Sequence, residues 1–344
     1  MEEKGFFVND GSSTVIKLPK NSSSLGGGTA VAGAASRGGI AEVYERGLAF
    51  VDHFAAMRGY FSSCGILGGL GAAFCVYVSL GLDYRLEGGG VSWITIILIL
   101  VTFANFLFIQ VDWVGYRYEP ILFDRGSSKV HIFRSAGLPW WQLGWNLFGR
   151  PRSEVQSFDW ACVDAEVVTF TIFTAQVPRR ESALVLSIKE SPGGSVEIQR
   201  VGVGPSFAYG DVTSPVQRWE YVRRFMQGEG PAWAPGEVRY KDFGVTFWES
   251  LTLMQPLIGP GSSKYWAKGP LMWIGGAVCL IAFPLSAYIG LNRYLSFRLK
   301  RAPKWPDDIR ASIGAGPFDD ARLKEMVDAA AVNSKQKRLG RRKG

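Results

Sequence analysis

"YFSSCGILGGLGAAFCVYVSLGLDYRLEGGGVSWITIILILVTFANFLFIQV", residues 60–111, holds two long apolar runs separated by one short polar turn. Residues 60–82 and 91–111 contain no Asp, Glu, Lys or Arg, and about 20 such residues suffice to cross a hydrocarbon core of ~30 Å. A third run, 270–292, is equally free of charge but is interrupted by Pro284. A helix buried on all sides in a soluble protein would show the same composition. Trp93, Trp113 and Trp273 stand at the ends of the runs, however, as expected of an aromatic belt at a membrane surface. The chain therefore reads as an α+β membrane protein with three transmembrane helices. In the first run Gly65, Gly69 and Ala73 recur four apart, with Gly68 and Ala72 one position earlier. Such a face lets a second helix approach closely. Because "DYRLEGGG" permits only a tight antiparallel hairpin, that partner is expected to be the second span, with self-association into a homo-oligomer as the other use. With the third span counted to Leu291, Asn105 and Gln110 are the only strongly polar groups in the spans, so the helices read as anchors rather than an ion or proton path.

Charge is distributed unevenly. Residues 293–344 hold 14 Lys/Arg against 6 Asp/Glu, which accounts for the whole net charge of +8. Arg293, Arg298, Lys300, Arg301 and Lys304 directly follow the third run and are candidates for anionic lipid. Nucleic-acid binding is not expected, because aromatic residues are not interleaved with these cations. At the other end, residues 1–40 are polar and rich in Gly and Ser ("NSSSLGGGTAVAGAASRGG"), without the pattern of a signal peptide. They read as disordered, and 41–59 as an amphipathic lead-in to the hairpin.

Between the second and third runs, residues 114–245 change character. "YRYEPILFDRGSSKVHIFRS" is two strand-like runs, 116–123 and 129–134, around an Asp/Gly turn. Further strands are expected at 157–168, 170–177, 183–190 and 195–203. "TSPVQRWEYVRRFMQGEGP" then predicts an amphipathic helix with Ser214 as N-cap, Gln217 completing a capping box and Gly228 as the stop. Val216, Trp219, Val222, Phe225 and Met226 share its apolar face. Residues 246–269 read as an interfacial connector.

Signs of chemistry are sparse. Two histidines, His53 and His131, stand apart from any acid or cysteine cluster, and three of the four cysteines fall in the apolar runs. "GVGPSFAYG" (202–210) is a partial glycine fingerprint with Phe207 in the third position. Neither a metal nor a cofactor is expected, and the chain reads as a non-enzyme. The Trp-rich stretch "PWWQLGWNLFGRPR" (139–152) is the sharpest candidate for a binding element. Trp140, Trp141 and Trp145 with Arg150 and Arg152 suit three roles: a cover for the sheet, a grip on the headgroup layer, or a partner hot spot.

About six strands and one C-terminal helix behind a membrane hairpin resemble the bacterial pleckstrin-homology-like domains held by membrane anchors. The blocks "YEPILFDRGSSKVHIFR" and "WEYVRRFMQGEGP", with Phe247-Trp248, are similar to a bacterial membrane-protein family of unknown function often encoded beside type VI secretion genes. The resemblance implies an inner-membrane immunity or accessory factor that binds a secreted effector or secretion component; the alternative is a lipid- or envelope-scaffolding module that reads the bilayer. With three spans, the tail and the β-rich domain fall on opposite sides. The basic tail argues for a cytoplasmic C-terminus and a periplasmic domain, whereas anchored pleckstrin-homology-like domains are usually cytosolic.

Overall fold

The computed structural model describes residues 14–20, 33–52, 59–86, 91–136, 151–174, 177–240, 246–254 and 279–328 except 315, with isolated positions at 262, 266 and 276. It is a mixed α+β structure with two long apolar helices and two antiparallel sheets. The helices are α1 (Tyr60–Leu86) and α2 (Trp93–Trp113), about 40 and 31 Å long at 1.5 Å per residue. Both are long and apolar enough to cross a membrane, and their side chains stay largely exposed, among them Leu70, Phe74, Tyr77, Trp93 and Leu100.

The hairpin closes through its small face. An added Cβ at Gly65 would lie 2.7 Å from the Asn105 carbonyl oxygen, and one at Gly69 3.5 Å from Asn105 Cβ. Gly68 also packs on Asn105, and Ala72 is buried. Ala73, expected on this face, is exposed instead, because the contact follows the Gly65–Gly68–Ala72 stripe at helical spacing. The far turn is tied by Asp83, whose carboxylate accepts from Ser92 N (2.9 Å) and Thr95 Oγ1 (2.7 Å).

One sheet has the order β2-β3-β4-β5-β6, built from Ile40–Val43, Gly47–Phe50, Ile121–Asp124, Lys129–Ser135 and Ser153–Asp159. The other has the order β1-β7-β8-β9, from Thr14–Leu18, Val163–Thr174, Val177–Lys189 and Glu197–Ala208. A single apolar core joins both sheets to α3 (Thr213–Met226), with Phe50, Phe123, Leu184, Val203, Trp219 and Phe225 among its members.

Several expectations change here. Residues 14–18 form β1 rather than part of a disordered segment, and Ser36 and Ile40 are fully buried. Residues 41–50 are not an amphipathic lead-in but complete the sheet as β2 and β3, the latter pairing with β4 from beyond the hairpin. The sheet is thus assembled across the α1–α2 hairpin. The strand expected at 157–168 breaks at Trp160–Cys162, a turn of 3-10 helix that carries the chain from one sheet to the other. Ser214 does not cap α3. Asp211 does so, accepting from Thr213 N (3.0 Å), Ser214 N (3.3 Å) and Ser214 Oγ (2.6 Å).

The largest correction concerns the third run and the tail. The described helix there, α5, is Phe283–Leu299, beginning at the Pro284 interruption; most of 270–278 lies outside the described residues. A shorter helix, α4 (Phe247–Met254), lies antiparallel to α5. Phe247 meets Tyr294 at 6.0 Å, and a Cβ at Gly290 would lie 2.9 Å from Leu251 Cα.

The chain after α5 then joins the domain. Arg301 N donates to Gly115 O (3.1 Å) and Arg117 N to Arg301 O (2.9 Å). Trp305 and α6 (Asp307–Ile313) bury Trp305, Ile309 and Ile313 against Tyr44, Ala49, Leu122 and Phe133. Phe318 N donates to Val43 O, and Leu323 of a last helix, α7 (320–328), is buried in the main core. A tail packed this way shares one side with the domain, so a single third crossing that separates them is incompatible with these contacts. The expected opposite placement followed from a count of three spans.

Gly65 and Gly71 separate packing from composition. Gly65→Val forces α1 off α2 and should lower hairpin stability in detergent by about 1–3 kcal/mol. Gly71→Ala, with nothing within 4 Å, should leave the melting temperature unchanged.

Candidate functional site

The α1–α2 hairpin meets the domain at a buried polar joint. Asp112, near the end of α2, accepts from Ser62 N (2.7 Å) and so caps the first turn of α1. Ser296 Oγ of α5 donates to Asp112 O (2.6 Å), Asn292 Nδ2 to Ser63 Oγ (3.1 Å), and Tyr288 OH to Ser63 O (3.1 Å). Gly59 has φ 91, and a Cβ there would sit 2.6 Å from Arg293 Cα; this close approach requires glycine. The joint fixes α5 to the hairpin at its domain end.

The five cations after the third run divide at this joint. Arg293 and Lys300 are buried, at 2% and 4% exposure, and so are unavailable to lipid. Arg298, Arg301 and Lys304 are exposed, and no carboxylate of the described residues pairs with them. Arg298 lies over the Tyr294 ring at 5.4 Å. Trp140, Trp141, Trp145 and Arg150 lie outside the described residues. Arg152 is exposed, and its carbonyl accepts from Ala136 N (2.9 Å), closing the two ends of the stretch onto each other. Those ends sit by the membrane exit: Ser135 Oγ is 3.9 Å from where a Gly115 Cβ would stand, two residues past the end of α2.

Inside the domain, Asp124, His131 and Ser157 fall in one line across three strands. Ser157 Oγ is 2.7 Å from His131 Nδ1, and His131 Nε2 is 3.6 Å from Asp124 Oδ2. The residue types invite a comparison with nucleophilic hydrolysis, but the geometry serves a different end. Asp124 Oδ1 accepts from Gly126 N (2.8 Å) and Ser127 N (3.2 Å), and Oδ2 from Ser127 Oγ (2.6 Å) and Ser312 Oγ of α6. Burial raises the Asp124 pKa, but the hydrogen bonds from His131, Ser127 and Ser312 outweigh it and hold the carboxyl well below its usual range. Asp124 is the tie between the β4–β5 turn and the tail.

Arg218 is the residue the sequence reading passed over. It is fully buried in α3 and donates to Ser36 O (3.1 Å), Val203 O (2.7 Å) and Pro205 O (2.9 Å), with its guanidinium over Phe207 at 4.5 Å. Burial pushes its pKa down to about 9. Gly204, at φ 70, exists to admit it, since a Cβ there would lie 2.6 Å from Nη1. One cation thereby fastens the N-terminal segment, β9 and α3 together.

Surface depressions on the domain are shallow and open. One of about 240 Å³ is lined by Ala41, Tyr118, Arg239 and Tyr240; another of about 300 Å³ includes Trp233, Glu237 and Lys324. Among the described residues no three His, Cys, Asp or Glu side chains gather where they could hold a metal.

A family model described as a family of unknown function (DUF6708) matches residues 97–317, from within α2 to just past α6. The chain belongs to this family. Its boundaries take in most of α2, the strands β4–β9, α3, α4, α5 and the tail through α6 as one stretch, and leave out β1–β3, α1 and α7. No curated protein and no solved structure matches the chain.

The Asp124 tie has a definite pH dependence. The folded pKa is depressed, so its stabilisation is complete above the ordinary carboxylate value of about 3.9 and is lost as pH falls through the lower folded value. Protection of the 307–328 segment from proteolysis should therefore persist at pH 5 and fail only in stronger acid. Asp124→Asn should expose the segment at neutral pH, at a cost of about 1.5–3 kcal/mol for hydrogen bonds to a charged group.

Proposed function

We propose that this is a non-enzymatic, membrane-anchored interaction protein of the bacterial inner membrane, an accessory or immunity factor of type VI secretion. Its β-rich unit would bind a protein partner at the cytoplasmic face. One observation carries the reading: chain from before, between and after the apolar helices is folded into a single unit beside them. The hairpin then serves to hold that unit at the surface. Two antiparallel sheets around one core with a C-terminal helix support a pleckstrin-homology-like layout, and the quoted sequence blocks support the link to secretion.

Orientation follows from charge once the tail and the domain share a side. The short turn between α1 and α2 offers Arg85 against Asp83 and Glu87, whereas Arg117, Arg298, Arg301 and Lys304 flank the helices on the domain side. The Lys/Arg bias then favours a cytoplasmic domain. A cytoplasmic position favours the accessory role over an immunity factor that meets effectors arriving from outside.

A second reading, a lipid-binding scaffold, is favoured by Arg298, Arg301 and Lys304 at the membrane boundary, exposed and paired with no carboxylate among the described residues. In contact competition, a strain lacking the protein should lose its own type VI-dependent killing if the role is accessory. If the role is immunity, it should be killed by its parent but not by a secretion-null parent. If neither changes, the secretion reading fails. The lipid reading would then predict loss of co-purified anionic lipid when Arg298, Arg301 and Lys304 are changed to Ala.

A further inference from the structure

The cavity of about 240 Å³ lined by Ala41, Tyr118, Arg239 and Tyr240 lies at the end of the five-stranded sheet nearest the hairpin. Its place follows from the strand register. Ile40, Phe50 and Ile121 stand level across β2, β3 and β4. From that end β3 leads towards α1, and α2 leads back into β4. Tyr118 comes five residues after Trp113, the last of α2. Tyr240 N donates to Ile40 O (2.7 Å), and the chain beyond it enters α4 at Phe247. The cavity thus sits among the segments that join the sheet to the apolar helices. It is smaller than the roughly 300–1,000 Å³ of a site for a drug-sized ligand, and so suits a small polar group.

The chemistry of its surroundings is mixed in sign. Arg239 Nε donates to Ala41 O (2.8 Å), which fixes the guanidinium at the wall. Among the described residues its terminal nitrogens meet only Asp320 Oδ1, at 3.5 Å. Asp320 is 87% exposed, so that contact is weak. Tyr118 OH donates to Glu42 Oε1 (3.3 Å), and the other oxygen of Glu42 accepts from Tyr44 OH (2.5 Å). One cation therefore stands with two carboxylates, and a ligand bearing only negative charge meets net repulsion. A zwitterion does not. The guanidinium pairs with a phosphate, while an ammonium is satisfied by a carboxylate and by the faces of tyrosine rings.

We propose that this cavity binds the zwitterionic headgroup of a phospholipid, phosphatidylethanolamine, with Arg239 on its phosphate and Glu42, Tyr118 and Tyr240 about its ammonium. A lipid is the source because the cavity lies where the chain passes to and from the two apolar helices. The inference rests on α1 and α2 lying in a bilayer, and on no link to secretion. It is separate from Arg298, Arg301 and Lys304, which would draw anionic lipid by charge without selecting a headgroup.

Native mass spectrometry of the full-length protein in detergent, incubated with equal amounts of phosphatidylethanolamine and phosphatidylglycerol, tests this. Phosphatidylethanolamine should be retained in preference. Arg239→Gln should lower its retention roughly tenfold. Glu42→Gln, which keeps the side-chain length and one acceptor, should shift the preference towards phosphatidylglycerol. Changing Arg298, Arg301 and Lys304 to Ala should leave that preference unchanged. If Arg239→Gln lowers the melting temperature, Glu42→Gln carries the test, because a loosened fold does not reverse a choice between two lipids. Equal retention of both lipids by the unaltered protein would overturn the proposal, as would a preference indifferent to Glu42→Gln. Equally tight binding of glycerophosphoethanolamine, which lacks acyl chains, would overturn the lipid as source. Alkaline carbonate extraction separates the two readings. Release of the chain from membranes would remove the anchor and the proposal with it, whereas a retained chain that holds no phosphatidylethanolamine would overturn the headgroup site alone.

Discussion

The described chain after α5 is bonded back to the chain that follows α2. The main-chain exchange of Arg301 with Gly115 and Arg117 is small in itself, but it begins a docking that buries Trp305, Ile309 and Ile313. Side chains of that size contribute about 1.5–3 kcal/mol each on burial, and the Ser312–Asp124 tie adds a charge-assisted hydrogen bond. A segment held so firmly stays with the sheet that holds it. This constraint keeps the tail and both sheets in one folded unit.

The α1–α2 hairpin behaves as an excursion from a unit that is continuous without it. The sheet pairs β3 with β4 across that hairpin, and α4 packs against α5. Arg218 makes the comparable connection inside the domain. A buried cation with three carbonyl acceptors from separate segments is costly to form and harder still to replace, because any smaller residue would strand those acceptors. The anchor and the domain are therefore one structure, joined at Asp112, Ser63 and Asn292, rather than modules on a linker.

Much of this was legible in the sequence, and the failures share a cause. The hairpin, the β4–β5 turn at Asp124–Ser128 and the α3 helix announce themselves through local periodicity. The strands β2 and β3 are only four residues each and stand before a span, where no local signal says that their partners lie beyond it. The α6 stripe of Trp305, Ile309 and Ile313 has helical spacing and was readable, but the surrounding charge drew attention to solvent and lipid instead. Arg218, Glu220 and Arg223 look like a solvated face of α3, yet all three are buried. At the candidate site the pattern was similar. Arg298, Arg301 and Lys304 are exposed, while Arg293 and Lys300 face inward for reasons only tertiary contact reveals.

The most direct test is side-specific labelling of single cysteines with a membrane-impermeant maleimide in intact spheroplasts. Tyr84→Cys marks the far end of α1, Ser191→Cys the β8–β9 turn and Asp308→Cys the docked tail. The account predicts that Tyr84→Cys is labelled from outside, whereas Ser191→Cys and Asp308→Cys react only after the membrane is opened. Labelling of Ser191→Cys and Asp308→Cys from opposite sides would contradict it.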